Sequence, residues 1–192
     1  MLDKIKKVRE KTGAGVVNIK QALEEAAGDE EKAIEILRKK GQDKALKKSD
    51  RATKEGVVVS YIHSNGKIGS MVKIYCETDF VARNDEFQQM AKDIAMHIAA
   101  MSPMYLRPED VPAELVEKEK SIWVEQLKSE GKPENMLEKI MAGKEEKFRR
   151  EMALLTQAFV KDPKVTIDEV IKEKIGKIGE NIQVGEFVKF EL

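Results

Sequence analysis

A single cysteine, Cys76, occurs in 192 residues. No intrachain disulfide framework can form, and a reducing compartment, the cytoplasm, is the expected location. Two histidines, His63 and His97, together with that thiol are too few for the usual structural zinc site, so neither metal nor cofactor is expected. No stretch approaches the ~20 apolar residues of a membrane span. The N-terminal MLDKIKKVREK is charged with no apolar run behind it, so it is not expected to be a secretory signal, and no membrane role is expected. Net charge is missing too, since 35 Lys and Arg offset 35 Asp and Glu. A protein held mainly by nucleic-acid phosphates needs a net basic face, so no direct nucleic-acid binding is expected. A phosphate-cradling Walker loop is also absent: Gly13 and Gly15 precede a helix but lack the preceding strand and the lysine. The many carboxylates lie along amphipathic helix faces and form no isolated pair. The residues therefore favour a non-enzymatic chain with no catalytic residues, an enzyme staying open as the minor alternative at this point.

What is present falls into two parts. Leu2, Ile5 and Val8 recur at helical spacing and stop at Thr12-Gly13-Ala14-Gly15. Ile19, Ala22, Leu23 and Ala26 make the i, i+3, i+4, i+7 stripe of a second helix. Gly28 suits a left-handed helix end and Asp29 the cap of a third helix, which carries Ala33, Ile34 and Leu37 and is expected to end at Gly41. Residues 1–40 are thus expected to be a small three-helix domain. Residues 41–55, rich in Lys and Arg, read as a solvated, partly helical linker, and residues 56–192 as a larger domain.

The larger part opens with two alternating runs, Val57 to His63 and Ile68 to Cys76, around Asn65-Gly66, a strong hairpin signal. A two-residue turn pairs Ser64 with Lys67. It puts Val57, Val59, Tyr61 and His63 on one face with Ile68, Ser70, Val72, Ile74 and Cys76, so Cys76 reads as a buried small hydrophobe. Asn84 can cap a helix bearing Phe87, Met90, Ala91, Ile94, Ala95, Ile98 and Met101, with His97 packed beside the stripe. A charged helix from Pro112 contains Trp123 and is expected to stop at Gly131-Lys132-Pro133. Two further helical stretches are expected between Glu134 and Leu155, broken near Gly143. Trp123 and the methionines at helical spacing read as core. Thr166-Ile167-Asp168-Glu169 is a capping box, and Val188, Phe190 and Leu192 alternate with Lys189 and Glu191 as a last strand. The expected fold class is α+β, a small antiparallel sheet packed against helices.

One segment stands apart, Glu77-Thr78-Asp79-Phe80-Val81-Ala82-Arg83-Asn84. It leaves the second strand with Thr78 as a potential cap and sets Phe80 at a strand-to-helix corner. Either Phe80 and Val81 plug the core there, or a loop on a rigid scaffold presents an aromatic beside an acid to a partner pocket.

That segment, Thr12-Gly13-Ala14-Gly15 near the start and Phe159-Val160-Lys161-Asp162-Pro163 near the end are similar to signatures of the translation elongation factor Ts family, in its order and at its spacing. The likeness covers essentially the whole chain. It implies a ubiquitin-associated-like helical domain over residues 1–40 and a core and dimerisation domain over 56–192. It also implies guanine-nucleotide exchange on elongation factor Tu, in its GDP-bound or nucleotide-free form. By this resemblance Thr78, Asp79, Phe80 and Val81 contact the partner's GTPase domain and disturb the Mg²⁺ that clamps the GDP phosphates, so that GDP leaves and GTP can bind. Gly13, Ala14, Gly15, Val16 and Val17 match a second contact, although Val16-Val17-Asn18 stand where a Met-Met-Asp run is common. His63 matches a hairpin histidine that touches the partner. Near the end, Thr156 and Ala158 replace a Glu and a Pro often seen, and Gly185-Glu186 replace paired Arg. The core module occurs once, so a homodimer through the core domain is expected. Two other classes compete: a non-catalytic adaptor using the small helical domain, and a hydrolase using His63 or His97. Neither accounts for the segment around Phe80.

Overall fold

The computed structural model describes residues 1–131 and 133–192. Helix α1 (Leu2–Thr12) ends where Gly13 takes a left-handed φ of 63°, its N–H bonded to the Arg9 carbonyl at 2.7 Å. Helices α2 (Val16–Glu25) and α3 (Glu30–Leu46) follow. Asp29 caps α3, accepting from the N–H groups of Lys32 and Glu31 at 3.0 and 2.9 Å, and those bonds hold its carboxyl below the usual carboxylate range. Most of the stripe read from the sequence forms the core of this bundle: Val8, Ile19, Ala22, Leu23, Ala26 and Ala33 are buried, with Ile5, Ile34 and Leu37 packed against them, whereas Leu2, in the first turn of α1, is exposed.

Gly41 does not end α3, which runs on to Leu46. A Cβ on Gly41 would meet nothing within 4 Å, but a later helix crosses its backbone closely. Gly176, from a later helix, comes so close that a Cβ on it would lie 3.1 Å from the Gly41 Cα. An interior glycine costs a helix about 1 kcal/mol relative to alanine, and the close crossing gives a reason for it at Gly176.

Strands β1 (Glu55–Ile62) and β2 (Ile68–Cys76) form the expected hairpin with a different turn. A two-residue type I′ turn needs positive φ at both central residues, and of Asn65 and Gly66 only Gly66 has it, at 67°. The chain instead turns over Ser64-Asn65. The Gly66 N–H bonds to the His63 carbonyl at 2.8 Å, and the Lys67 N–H to the Asn65 side-chain oxygen at 2.9 Å. The register is the expected one, because His63 N–H still meets the Ile68 carbonyl, at 2.8 Å. Residues 57, 59 and 61 are covered while 58, 60 and 62 are exposed, and Ser70, Val72, Ile74 and Cys76 are buried.

Helix α4 (Asp79–Ala82) is a single turn, and α5 (Asp85–Met101) follows at once. Asn84 caps α5, accepting from the N–H groups of Glu86 and Phe87 at 2.9 and 3.3 Å. Its stripe from Phe87 to Ile98 is buried, and only Met101 of the expected set is exposed. Helices α6 (Ala113–Ser129) and α7 (Glu134–Met152) pack on each other through an edge-to-face contact of Trp123 with Phe148, 5.6 Å between centroids. Lys132, in the expected stop signal between them, lies outside the described residues. Helix α7 is not broken at Gly143. The ion pairs of Glu145 with Arg149 and with Lys120, both at 2.9 Å, support the following turn. Methionine is a poor guide to the core, for Met90 is buried whereas Met71, Met101, Met104 and Met136 are exposed.

Two short antiparallel strands, β3 (Ala158–Phe159) and β4 (Asp162–Thr166), were not legible from periodicity; they are too short for it. Helix α8 (Ile167–Ile178) starts directly after Thr166 and buries Ile167, Ile171 and Ile175. Strand β5 (Gln183–Glu191) completes a three-stranded antiparallel sheet of order β1-β2-β5. The expected alternation in β5 is present, with its apolar residues on the open side. Val188 and Phe190 are exposed, while Lys189 is tucked in and donates to the Ser102 hydroxyl at 2.6 Å. The fold class is α+β, as expected.

The chain forms two compact units. One comprises Met1–Val59, Val72–Asp93 and Glu169–Phe187; the other comprises Ser60–Met71, Ile94–Asp168 and Val188–Leu192. Among the described residues no helix is long and apolar enough to cross a membrane.

Candidate functional site

The corner after β2 is a loop held from below. The Glu180 carboxylate accepts from the backbone N–H groups of Glu77 and Thr78, both at 3.1 Å, and from the Thr78 hydroxyl at 2.7 Å. Glu77 in turn accepts from the Asn181 N–H at 2.6 Å, and the Asn181 amide donates to the carbonyls of Arg51 and Ser49 at 2.8 and 3.2 Å. Thr78 is the cap of α4, its hydroxyl oxygen accepting from the Val81 N–H at 3.4 Å. The turn is therefore fixed before any partner arrives.

On this base Phe80 points outward, 81% exposed, while Ala82 behind it is buried. The core-plug reading of Phe80 is thereby excluded. Val81 is half-buried. Asp79 is also partly covered and pairs with Arg83 at 3.1 Å, one turn on. The arrangement is an aromatic side chain in water on a pinned loop, with an acid beside it. An exposed phenyl ring offers ~150–250 Å² of surface to whatever can cover it.

Glu180 and Asn181 lay outside the sequence reading. They stand about a hundred positions from the loop they support, and no local pattern marks them. Glu180→Ala is expected to lower stability by about 1–3 kcal/mol, since it strands two backbone N–H groups and a hydroxyl. Urea unfolding would show a lower midpoint, with Glu180→Gln, which keeps an acceptor oxygen, falling between the two.

Cys76 lies under the same loop, donating to the Thr78 carbonyl at 3.2 Å. Burial, with the Glu180 charge nearby, pushes its thiol up to about 11, so it stays protonated and inert.

The other residues singled out stand apart from this loop. At the α1–α2 turn the Thr12 hydroxyl donates to the Val8 carbonyl at 2.7 Å and accepts from the Ala14 N–H at 3.3 Å, shaping the bend around Gly13 and Gly15. Val16 and Val17 follow at the exposed start of α2, Val17 being 70% exposed. His63 is exposed at the hairpin end, its Nδ1 3.1 Å from the Tyr61 hydroxyl, with no carboxylate among the described residues bonded to it.

His97 is fully buried. Its Nε2–H donates to the Gln157 side-chain oxygen at 3.0 Å, and its Nδ1 accepts from the Val160 N–H at 3.2 Å. Phe159 packs beside the ring, 6.2 Å between centroids. The neutral ring thus satisfies both neighbours, and burial lowers its pKa below the ordinary 6.5. An unfolded chain binds the proton more readily, so this group favours unfolding as pH falls below about 6.5 and its penalty levels off below the lowered folded value. The expected result is a melting temperature that drops between pH 7 and 5 by more in the native protein than in His97→Gln, read by calorimetry. No cluster of three or more His, Cys, Asp or Glu able to hold a metal occurs among the described residues.

The family model described as Elongation factor TS matches residues 3–192. A protein named Elongation factor Ts from Fervidobacterium nodosum is 56% identical over 188 residues, covering 98% of this chain and 95% of the relative. One of the same name from Thermosipho melanesiensis is 56% identical over 186 residues, 97% and 95% of the two chains. Another, from Thermotoga maritima, is 53% identical over 191 residues, 100% and 95%. Identity at that level, end to end, makes this chain a member of the elongation factor Ts family, and with it a factor of translation elongation.

Proposed function

We propose that the protein is a cytoplasmic, non-enzymatic guanine-nucleotide exchange factor for elongation factor Tu. It binds the Tu–GDP complex, disturbs the Mg²⁺ and phosphate site, and promotes GDP release so that GTP can enter. The observation that carries this reading is the exposed Phe80 on a loop pinned by Glu180. Thr78 and Val81 set the loop, while Asp79 and Phe80 enter the partner's GTPase domain. Covering one phenyl ring supplies up to about 4–6 kcal/mol at ~25 cal/mol/Å², before the costs of association are deducted. That is enough to offset a moderate distortion of the nucleotide pocket. The coupling is reciprocal, so GDP and GTP weaken the factor's hold as much as it weakens theirs.

Grip comes from the first three helices, residues 1–40, through Gly13, Ala14, Gly15 and the exposed pair Val16 and Val17. Residues 41–55 act as the connector, although α3 extends to Leu46 within it. Residues 56–192 are the core, with His63 at the hairpin tip as a further contact.

The factor works as a homodimer through the core. Exposed Ile62, Met71, Val188 and Phe190 all belong to one compact unit and lie on the open face of the sheet. The His63–Ile68 and Leu192–Lys67 hydrogen bonds set a register that puts Ile62 and Phe190 on either side of Gly69.

The test of the function is release of a fluorescent GDP analogue from elongation factor Tu. Catalytic amounts of this protein should accelerate it many-fold. An unchanged rate, with binding to another protein through residues 1–40, would replace exchange by the adaptor reading.

A further inference from the structure

Within the first compact unit a cavity of about 450 Å³ opens between the α1–α2 turn, α3 and α8. Its charge is lopsided. Lys11, Arg38, Lys40, Lys44, Lys47 and Lys177 line it against only Asp43 and Glu173. Lys40 is paired with Glu25 at 2.6 Å and Lys177 with Glu86 at 2.6 Å. Lys11, Arg38, Lys44 and Lys47 have no ion pair among the described residues. Asp43 and Glu173 have none there either, so four unpaired cations face two unpaired carboxylates, an excess of two positive charges around one hollow in a chain with no net charge.

The hollow is also built at a cost to the helices around it. Gly176 sits inside α8 where a Cβ would press on the α3 backbone, 3.1 Å from the Gly41 Cα. Between the cations the wall is apolar, formed by Ala14, Ile34 and Leu37, with the Asn18 amide beside it. Its volume falls within the range of small-molecule sites, ~300–1,000 Å³. A bare anion would use the cations and leave the apolar wall in water. A macromolecular backbone would need a basic track running past the cavity, and the overall charge balance gives none.

We propose that this cavity binds a nucleoside polyphosphate directly, independently of elongation factor Tu. Arg38, Lys44, Lys47 and Lys11 hold the phosphates, and the planar base lies on Ile34 and Leu37. No bond is made or broken. Arg38 can grip phosphate with two parallel N–H bonds, and the lysines act as point charges. The site shares its rim with Gly13 and Gly15 of the α1–α2 turn. Occupancy therefore changes the charge of a surface assigned above to partner grip, a second route by which cellular nucleotide could tune the factor.

The full-length protein alone, with no partner present, is titrated with ATP, with GTP and with tripolyphosphate while backbone amide shifts are followed by NMR. The expected result is saturable shifts at Gly13, Ala14, Gly15, Gly41 and Gly176, with both nucleotides binding more tightly than tripolyphosphate. Lys44→Glu and Lys47→Glu, at exposed positions where folding is not at stake, should each weaken nucleotide binding by about tenfold. Lys39→Glu makes the same charge change on α3 outside the cavity and should leave binding unaltered within about twofold. Equal weakening by Lys39→Glu would overturn the site in favour of diffuse attraction. Tripolyphosphate binding as tightly as nucleotide would overturn the base-binding part, and an oligoglutamate peptide outcompeting nucleotide would give the cavity to an acidic partner segment. None of these readouts depends on exchange activity, so loss of the exchange proposal and loss of this one are separable.

Discussion

Phe80→Ala is expected to slow factor-promoted GDP release from elongation factor Tu by roughly 30- to 1,000-fold. The range follows from a buried aromatic hot spot, about 2–4 kcal/mol on truncation, at 1.4 kcal/mol per tenfold. The same change should leave stability within about 0.5 kcal/mol, because an exposed side chain with few neighbours loses little on removal. Phe80 is 81% exposed, and the loop beneath it is held by Glu180 rather than by the ring. Stopped-flow release of a fluorescent GDP analogue, beside a thermal melt of the variant, separates the two effects. A folded Phe80→Ala protein that exchanges normally would remove the wedge from the mechanism. Phe80→Leu should retain an intermediate rate, since it keeps apolar bulk without the ring.

The second large effect concerns assembly. Phe190→Asp combined with Val188→Asp is expected to convert a dimer of about twice the 21.7 kDa chain mass into a monomer at micromolar concentration. Both side chains are exposed on the open sheet face, so the change spares the core of the subunit. In a two-fold interface every residue counts twice. Each apolar side chain covered contributes about 1.5–3 kcal/mol, and a carboxylate placed there would be buried without a partner, at a cost of about 3–5 kcal/mol. The dissociation constant should rise more than a hundredfold. Cys76 is buried, so the dimer should be indifferent to reductant. Light scattering with and without reductant checks both points. A wild-type protein that is a clean monomer with full exchange activity would refute the dimer.

Local chemistry is what the sequence by itself determined. The helical stripes of α1, α2, α5 and α8, the Asp29 and Asn84 caps and the β1–β2 register all depend on residues within a few positions of one another. Hydrophobic period and capping chemistry are enough to specify them. The strand-to-helix corner at Thr78 was legible for the same reason. Three matters were left to the tertiary structure. Gly41 and Gly143 look like breaks when read locally. Both helices nevertheless run on through them, α7 with an ion pair of Glu145 and Arg149 in the turn that follows Gly143. Val188 and Phe190 alternate as core residues would, but alternation defines two faces without saying which one is covered. Phe80 could have been plug or projection on sequence grounds. A carboxylate a hundred residues away, on Glu180, decided it by taking over the loop's hydrogen bonds and leaving the ring in water. Contacts of that separation are closed only when the chain folds, because no propensity or period connects residues so far apart.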